Sequence, residues 1–144
     1  MQNLIHNVTG QWQVSALSAS ETPHWQTDKT WQAGLPLCVT VDVEPEPVWQ
    51  TASLIGIDFP AFTDGRGLSL ATLIRRIGYK GDLRALGAIH EDVLHYMVRC
   101  GFTSFLLPED CDPAVALACI APYTEFYQGS VIQPAPLYQR RARG

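Results

Sequence analysis

Residues 54–87 read LIGIDFPAFTDGRGLSLATLIRRIGYKGDLRALG, and the spacing of their hydrophobic residues changes twice along the stretch. The run LIGIDF is short, continuous and apolar, which is typical of a buried strand, whereas residues 69–77 carry leucine and isoleucine at helical spacing. Gly78 stands where that helix would end, and LRALG follows as a second short apolar run. The segment therefore predicts a strand, a helix and a second strand in succession.

The alternation continues towards the carboxyl terminus. A second helical pattern, HEDVLHYMVRC, covers residues 90–100 and is followed by the short strand pattern FTSFLL at residues 102–107. The apolar face of the second helix is formed by Val93, Leu94, Met97 and Cys100. Asp112 and Pro113 have the N-cap and first-turn chemistry of a third helix, which Pro122 is expected to limit or kink. Strand and helix thus alternate three times.

This alternation favours an α/β fold built on a parallel β-α-β-α-β-α core of three or more strands. Three predicted strands fit an open sheet and also a fragment that resembles part of a barrel, so both arrangements stay open. In parallel sheets, ligands usually bind beyond the carboxyl ends of the strands. We therefore expect a site where Asp58 with the TDGRG loop, residues 87–91 and residues 108–110 converge.

The first fifty residues differ in character from the rest. They are rich in Gln, Trp, Thr and Ser, and their alternating runs QWQVSAL and LCVTVDV are typical of strands. LIHN, VTGQ and WQVSAL suit a hairpin, and the two prolines of EPEP favour a linker. We expect a single domain over residues 1–144, with a β-rich amino-terminal region at 1–50, an α/β core at 51–132 and a tail at 133–144.

Composition narrows the classes of partner. The chain is 47% hydrophobic and carries four more acidic than basic residues, which argues against a nucleic-acid or anionic-membrane surface. Only the final QRRARG is locally basic, and no window approaches the roughly 20 apolar residues of a membrane helix. We expect a soluble cytoplasmic protein that binds neither nucleic acid nor membrane. Whether the protein forms a homo-oligomer stays open.

The cysteines indicate no metal site. Cys38, Cys100, Cys111 and Cys119 contain no CxxC pair, and their separations fit neither a zinc site nor the usual iron–sulfur runs. Buried, reduced thiols are the expected state, since free cysteine behaves as a small hydrophobic residue. The alternative is a redox-active Cys111, whose thiolate a following helix dipole would stabilise.

The DGRG sequence poses a choice between a ligand loop and a turn. GRGLSL offers two glycines of a dinucleotide fingerprint, but Leu70 stands where the third is needed. Asp82 precedes the second strand instead of ending it, so NAD binding at this loop is rejected. A small oxyanion could bind the N–H groups of residues 65–69 beside Arg66. The alternative is that Asp64 and the glycines shape the turn and bind no ligand.

Polar residues near these loops complete the candidate site. Asp58 directly follows LIGI, and its partial burial would require Arg66 or Arg84 as a partner or would raise its pKa. His90 and Glu91 are either ordinary first-turn residues or an acid–base pair of poor geometry. We expect Asp58 and Arg84 near Arg66 in one polar cluster at the carboxyl end of the sheet. No catalytic residue is assigned, and the candidate ligand-binding or anion-binding residues are Asp58, Thr63, Asp64, Gly65, Arg66, Gly67, Ser69, Arg84 and His90.

A family resemblance rests on these same blocks. IDFPAFTDGRGLSLATLIRRIGYKGDLRALG and RCGF, followed by Tyr127 and Gln128, resemble the bacterial domain-of-unknown-function family 934 over roughly residues 38–128. The matching positions are Asp58, Phe59, Pro60, Phe62, Thr63, Asp64, Gly65, Arg66, Gly67, Gly78, Tyr79, Lys80, Gly81, Leu83, Arg84, Ala85, Gly87, Asp92, Arg99, Cys100, Gly101 and Phe102. The chain departs from the family pattern at Glu91 and Val93, where relatives tend to have Arg and Gln. Glu91 in place of Arg reverses a charge at the loop that follows the second predicted strand.

The resemblance implies an oxidoreductase-type protein of sulfite reduction, because genes of this family commonly neighbour the gene of the sulfite reductase haemoprotein. Three functions stay open: an accessory protein that contacts that haemoprotein and has no cofactor of its own, a small oxidoreductase or other enzyme acting on a sulfur oxyanion at the DGRG loop, and a structural dimer without a small ligand. We favour the first, since the sequence contains no recognisable nucleotide motif, metal-ligand spacing or cysteine pair.

Overall fold

A six-stranded sheet, with helices packed on one face, organises the part of the chain that the structure describes. The structure is a computed structural model and describes residues 2–61 and 65–126. The strands are β1 (Gln2–Val8), β2 (Gln11–Leu17), β3 (Pro36–Thr40), β4 (Leu54–Phe59), β5 (Leu83–Gly87) and β6 (Ser104–Leu106). The helices are α1 (Gly65–Arg76), α2 (Leu94–Cys100) and α3 (Pro113–Phe126).

The strand order β2-β1-β6-β5-β4-β3 confirms the predicted α/β fold with a parallel core. Neighbouring strands from β3 to β6 are parallel, and Ile57 of β4 lies opposite Ala85 of β5. β1 and β2 form the predicted antiparallel hairpin, in which Ile5 lies opposite Val14. β1 also pairs antiparallel with β6, so the β-rich amino-terminal region extends the same sheet.

One face of the sheet forms the core with the helices. Alternate strand residues point into it, as the two-residue period of a strand requires. Ile5, Ile55, Ile57, Leu83 and Phe105 are fully buried there, together with Ala71 and Ile74 of α1, Leu94 of α2 and Ala116 of α3. The opposite face, which we call the outer face, carries Gly56 and Arg84, and Trp25 of the β2–β3 connection covers Gly56.

The bounds of α1 and α3 differ from the sequence prediction. α1 begins at Gly65, four residues before the predicted start, so the glycines of DGRG belong to its first turn. α3 begins as predicted, because Asp112 Oδ1 accepts a hydrogen bond of 2.9 Å from the Ala114 N–H. It then continues past Pro122 to Phe126, so Pro122 does not limit the helix, and the alternative of a kink stays a prediction. A proline removes one helical hydrogen bond, which a helix can accommodate without ending.

The second helical pattern is divided. Residues Glu91–Val93 form a 3₁₀ turn, and α2 starts only at Leu94. Leu94, Met97 and Val98 are buried, whereas the predicted face members Val93 and Cys100 are half-buried. Gly101 ends the helix in the left-handed conformation with φ of 116°, as predicted from the sequence.

Arg75 fastens the end of α1 to the following loops. Its guanidinium donates hydrogen bonds to three backbone carbonyls, those of Tyr79 at 3.0 Å, Gly81 at 2.8 Å and Gly101 at 3.0 Å. The Tyr79 ring is 3% exposed, and its hydroxyl donates to the Asp82 carbonyl at 2.9 Å. Burial, and then the charge of Asp82, raises the pKa of Tyr79 to about 12.

Gly67→Ala should destabilise the protein although alanine favours a helix. The added methyl group would overlap the ring of Phe59, which is 2% exposed at the end of β4. Overpacking of a core costs about 1–3 kcal/mol, more than the gain of at most about 1 kcal/mol from helix propensity. Gly65→Ala is the control, since among the described residues no atom outside the helix's own backbone and its chain neighbours lies within 4 Å of the added group. Equal urea midpoints for the two variants would contradict this packing.

Tyr79→Phe should reduce the loss of stability at alkaline pH. The folded state retains the phenol proton up to about pH 12, whereas the unfolded chain releases it near the ordinary tyrosine pKa of 10.0. The folded state therefore binds more protons within this window, and the free energy of unfolding falls as pH rises by about 1 kcal/mol per pH unit. Urea titrations between about pH 8 and pH 11 should show a shallower slope for the variant. The exposed Tyr96→Phe should keep the wild-type slope.

Candidate functional site

The loops that follow β4, β5 and β6 lie at one edge of the sheet, because these strands are parallel neighbours. Two of the loops are joined directly: the Cys111 thiol donates to the Glu91 carboxylate at 3.0 Å. The predicted convergence of loops at the carboxyl edge is therefore present among the described residues. The side chains that each loop brings to this edge differ from those expected.

A shallow groove opens where the start of α1 faces the chain that leaves β3. We call it the carboxyl-edge groove; it has a volume of about 540 Å³. It is lined by Val41, Asp42, Val43, Gly65, Arg66, Ser69, Leu70 and Leu73. Three of the candidate residues, Gly65, Arg66 and Ser69, thus share one surface.

Asp42 gives this groove a negative group that the sequence reasoning missed. The hydrogen bond donated by the Thr40 hydroxyl, a backbone N–H and the nearby charge of Arg66 lower the pKa of Asp42. The carboxylate is therefore ionised at neutral pH and lies near the Arg66 guanidinium. The sequence did contain a signal for Asp42, since this residue follows a strand of the parallel core. It was missed because LCVTVDV was assigned to the separate β-rich region.

A second shallow groove continues along the same side of α1. It has a volume of about 270 Å³ and is lined by Glu44, Pro45, Leu73, Arg76 and Ile77. Leu73 lines both grooves and is 40% exposed. The two grooves therefore form one continuous strip between α1 and residues 41–45, which we call the α1 strip.

Asp58 is exposed, so its expected partial burial is wrong. It lies on the outer face because its strand neighbours Ile57 and Phe59 point into the core. Its carboxylate packs over Gly87, which has a positive φ of 82° and leaves no space for a Cβ atom. Burial, followed by the charge of Asp58, raises the pKa of Cys38 on the neighbouring strand.

Arg84 does not join Arg66 at the carboxyl edge, and this part of the predicted cluster is wrong. Arg84 is the second residue of β5, and its Nη2 contacts Asp82 Oδ2 at 3.2 Å. Its Nε donates to the hydroxyl of Ser104 at 3.0 Å, and Ser104 in turn donates to Asp82 at 2.9 Å. Asp82 and Ser104 precede or begin their strands, so they hold the guanidinium towards the amino end of the sheet.

His90 serves as the cap of the 3₁₀ turn. Its Nδ1 accepts a hydrogen bond of 3.2 Å from the Asp92 N–H. Its Nε2 lies 3.9 Å from Glu91 Oε1, which is beyond hydrogen-bonding distance. The geometry therefore favours the ordinary first-turn interpretation over an acid–base pair.

Cys111 is a buried thiol and not a stabilised thiolate. Burial, followed by the hydrogen bond to Glu91 and its negative charge, raises the pKa of Cys111 to about 12. The thiol therefore stays protonated at neutral pH, and the alternative of a redox-active Cys111 loses its physical basis. Burial also raises the pKa of Cys38, Cys100 and Cys119.

Thr63 and Asp64 lie outside the described residues, as do the resembling positions Phe62, Tyr127 and Gln128. Gly67 is buried against Phe59 and has a packing role. Among the residues that the structure describes, no group of three or more His, Cys, Asp or Glu side chains could hold a metal ion. Within the same residues, no helix has the length and apolar character needed to cross a membrane.

Comparison with known proteins gives one match. A family model described as a bacterial protein of unknown function, DUF934, matches residues 40–138. No curated protein and no solved structure matches the chain. The matched region spans α1, α2 and α3 and both sides of the α1 strip. Because the model covers well over half of the sequence, this chain belongs to the bacterial family of unknown function DUF934.

Proposed function

We propose that this protein is a cytoplasmic accessory protein of assimilatory sulfite reduction, which contacts the sulfite reductase haemoprotein through the α1 strip and has no cofactor of its own. The family resemblance supports the pathway, since genes of the family commonly neighbour that of the haemoprotein. The observation that carries the mode of action is the exposed, continuous α1 strip, with Leu73 at its centre.

The α1 strip has the composition of a protein-contact surface. Leu73, with Val43, Pro45 and Ile77, supplies apolar surface in the middle. Charged residues of both signs surround them, namely Asp42, Glu44, Arg66 and Arg76. Protein interfaces commonly combine an apolar centre with a polar rim, and charges of both signs select the partner and its orientation. A haemoprotein surface with opposite charges in the matching places would fit the strip.

The alternative is a small oxidoreductase or other enzyme that binds a sulfur oxyanion at the same edge. It is supported by the position of Arg66 in the first turn of α1, where N–H groups and the helix dipole attract anions. Against it stands the ionised Asp42 in the same shallow groove, since a carboxylate repels sulfite and compensates the charge of Arg66. The structural dimer would use the α1 strip to bind a second copy of the chain.

Leu73→Asp should weaken binding to the sulfite reductase haemoprotein by about tenfold or more, because a charge would replace the apolar centre of the interface. Val115→Asp is the matched control: Val115 is 45% exposed on α3, whereas Leu73 is 40% exposed on α1. Calorimetric titration of the haemoprotein with each variant measures the difference. No complex with the wild-type protein, or equal loss in both variants, would contradict the docking assignment.

Sulfite titration tests the alternative of an enzyme that binds a sulfur oxyanion. If the oxyanion site exists, the wild-type protein binds sulfite and Arg66→Ala binds it more weakly. If the wild-type protein does not bind sulfite, the hypothesis of an enzyme acting on a sulfur oxyanion is eliminated. Sedimentation of the wild-type protein and Leu73→Asp would reveal a dimer formed through the α1 strip, which is the remaining reading.

Deletion of the gene should slow growth on sulfate or sulfite as the sole sulfur source, while cysteine or sulfide restores growth. A plasmid carrying the wild type or Val115→Asp should complement the deletion, and one carrying Leu73→Asp or Arg66→Ala should not. Reductase activity in the deletion extract should rise when the purified wild-type protein is added. Normal growth of the deletion strain together with normal reductase activity would remove the accessory role.

A further inference from the structure

The two edges of the sheet differ in how they are covered. The edge strands are β3 and β2. At β3, the Gln26 N–H donates to the Pro36 carbonyl at 3.0 Å, and the Gln26 carbonyl accepts a bond of 2.8 Å from the Cys38 N–H. The β2–β3 connection therefore covers β3. β2 pairs with β1 on one side, and none of the described residues pairs with its other side.

The hydrogen-bond pattern shows which backbone groups of β2 point away from the sheet. The backbone groups of Asn3 and Asn7 in β1 bond the chain at either end of β6, at 2.9 Å and 3.0 Å. Asn3 lies opposite Ala16 of β2, and Asn7 lies opposite Trp12. Opposed residues of an antiparallel pair either bond each other or both point away. The N–H and C=O groups of Trp12, Val14 and Ala16 therefore point outwards at the open edge.

β2 has the features of a strand that pairs with another chain. Its seven residues, QWQVSAL, include no proline and no charged residue, which are the usual protections of an edge strand. The β1–β2 turn holds the strand in place, because the Gly10 N–H donates to Asn7 Oδ1 at 2.9 Å. Thr9 and Gly10 have positive φ angles of 50° and 89°, as a two-residue hairpin loop requires. The open edge is thus preformed for pairing.

The side chains on the helix-facing side of this edge are apolar. Val14 lies opposite Ile5, which is fully buried in the core, so both point to the same face. Val14 is nevertheless 38% exposed. Trp12 packs on Phe105, with ring centroids 5.7 Å apart, and is half-buried, whereas Ala16 is exposed. Uncovered apolar surface therefore lies next to the outward-pointing backbone groups.

We propose that β2 pairs antiparallel with β2 of a second copy of this chain, about a two-fold axis at Val14. In this register, Val14 lies opposite the second copy's Val14, and Trp12 lies opposite the second copy's Ala16. Every residue with outward-pointing groups then faces another such residue, so their N–H and C=O groups bond each other. A large side chain lies beside a small one, and no like charges are opposed. The strand is thus complementary to itself, as a two-fold interface requires.

This pairing joins two six-stranded sheets into one continuous sheet. It leaves the α1 strip exposed, because the strip lies beside the chain that leaves β3, at the opposite edge of the sheet. The pairing therefore differs from a structural dimer formed through the α1 strip. The inference is also independent of the proposed function, since each copy keeps its surface for a partner protein.

A charge exchange at residue 14 tests the interface. Sedimentation over a range of concentrations should show a dimer of the wild-type protein. Val14→Lys and Val14→Glu should each weaken dimerisation by about tenfold or more, because like charges would meet at the axis. An equal mixture of the two variants should form a mixed dimer, since residue 14 faces itself only in this register. Val48→Lys is the control: Val48 is 48% exposed between β3 and β4, and its variant should dimerise like the wild type.

Three sedimentation results would overturn the proposal. They are a wild-type protein that is monomeric throughout, a dimer that neither variant weakens, and two monomeric variants whose mixture stays monomeric.

Amide hydrogen exchange of the wild-type protein provides a test that needs no variant. The N–H groups of Trp12, Val14 and Ala16 should become protected as the protein concentration rises, whereas those of Gln13 and Ser15, which face β1, should be protected throughout. Protection of all five groups in the monomer would show that the chain itself covers the edge, and fast exchange of the first three in the dimer would place the interface elsewhere.

Discussion

The contact between Gly67 and Phe59 fixes how α1 lies on the sheet, and the surface chemistry of this protein depends on it. Phe59 is the last residue of β4 and is buried, and its ring occupies the space that a side chain at residue 67 would need. The helix can therefore start close to the end of the strand. This places Arg66, the neighbour of Gly67, beside the chain that leaves β3 and so next to Asp42. Gly67 of DGRG thus acts through packing, and its neighbour Arg66 gains its position from that packing.

Two polar centres follow from this arrangement, and they lie towards opposite ends of the sheet. At the carboxyl edge, Asp42 and Arg66 lie on an open surface, where solvent screens their interaction and keeps its energy small. Towards the amino end, Asp82, Arg84 and Ser104 form a hydrogen-bonded group in which Ser104 is fully buried. The first centre is accessible to a partner protein. The second holds the Arg84 guanidinium through hydrogen bonds to Ser104 and Asp82.

The placement of the helices on one face separates these roles. The inner face is filled by aliphatic and aromatic side chains, so binding surfaces can form only outside it. One is the α1 strip, where the exposed side of a helix meets residues 41–45. Another is the outer face, where the β2–β3 connection covers part of the sheet through Trp25 and leaves a partly open cavity of about 290 Å³.

The sequence by itself determined the α/β class, the bounds of β4 and β5, the hairpin and the cap of α3, since each depends on local spacing or on a local hydrogen bond. It also located Gly65, Arg66 and Ser69 at one edge, because parallel strands share their carboxyl ends. Only the tertiary structure decided their neighbours. Asp42 reaches Arg66 because β3 pairs with β4, and Arg84 bonds Ser104 because β5 pairs with β6. Trp25 covers Gly56 through a contact across some thirty residues. Such pairings depend on which strands become neighbours and on which face a side chain points, and local periodicity contains neither.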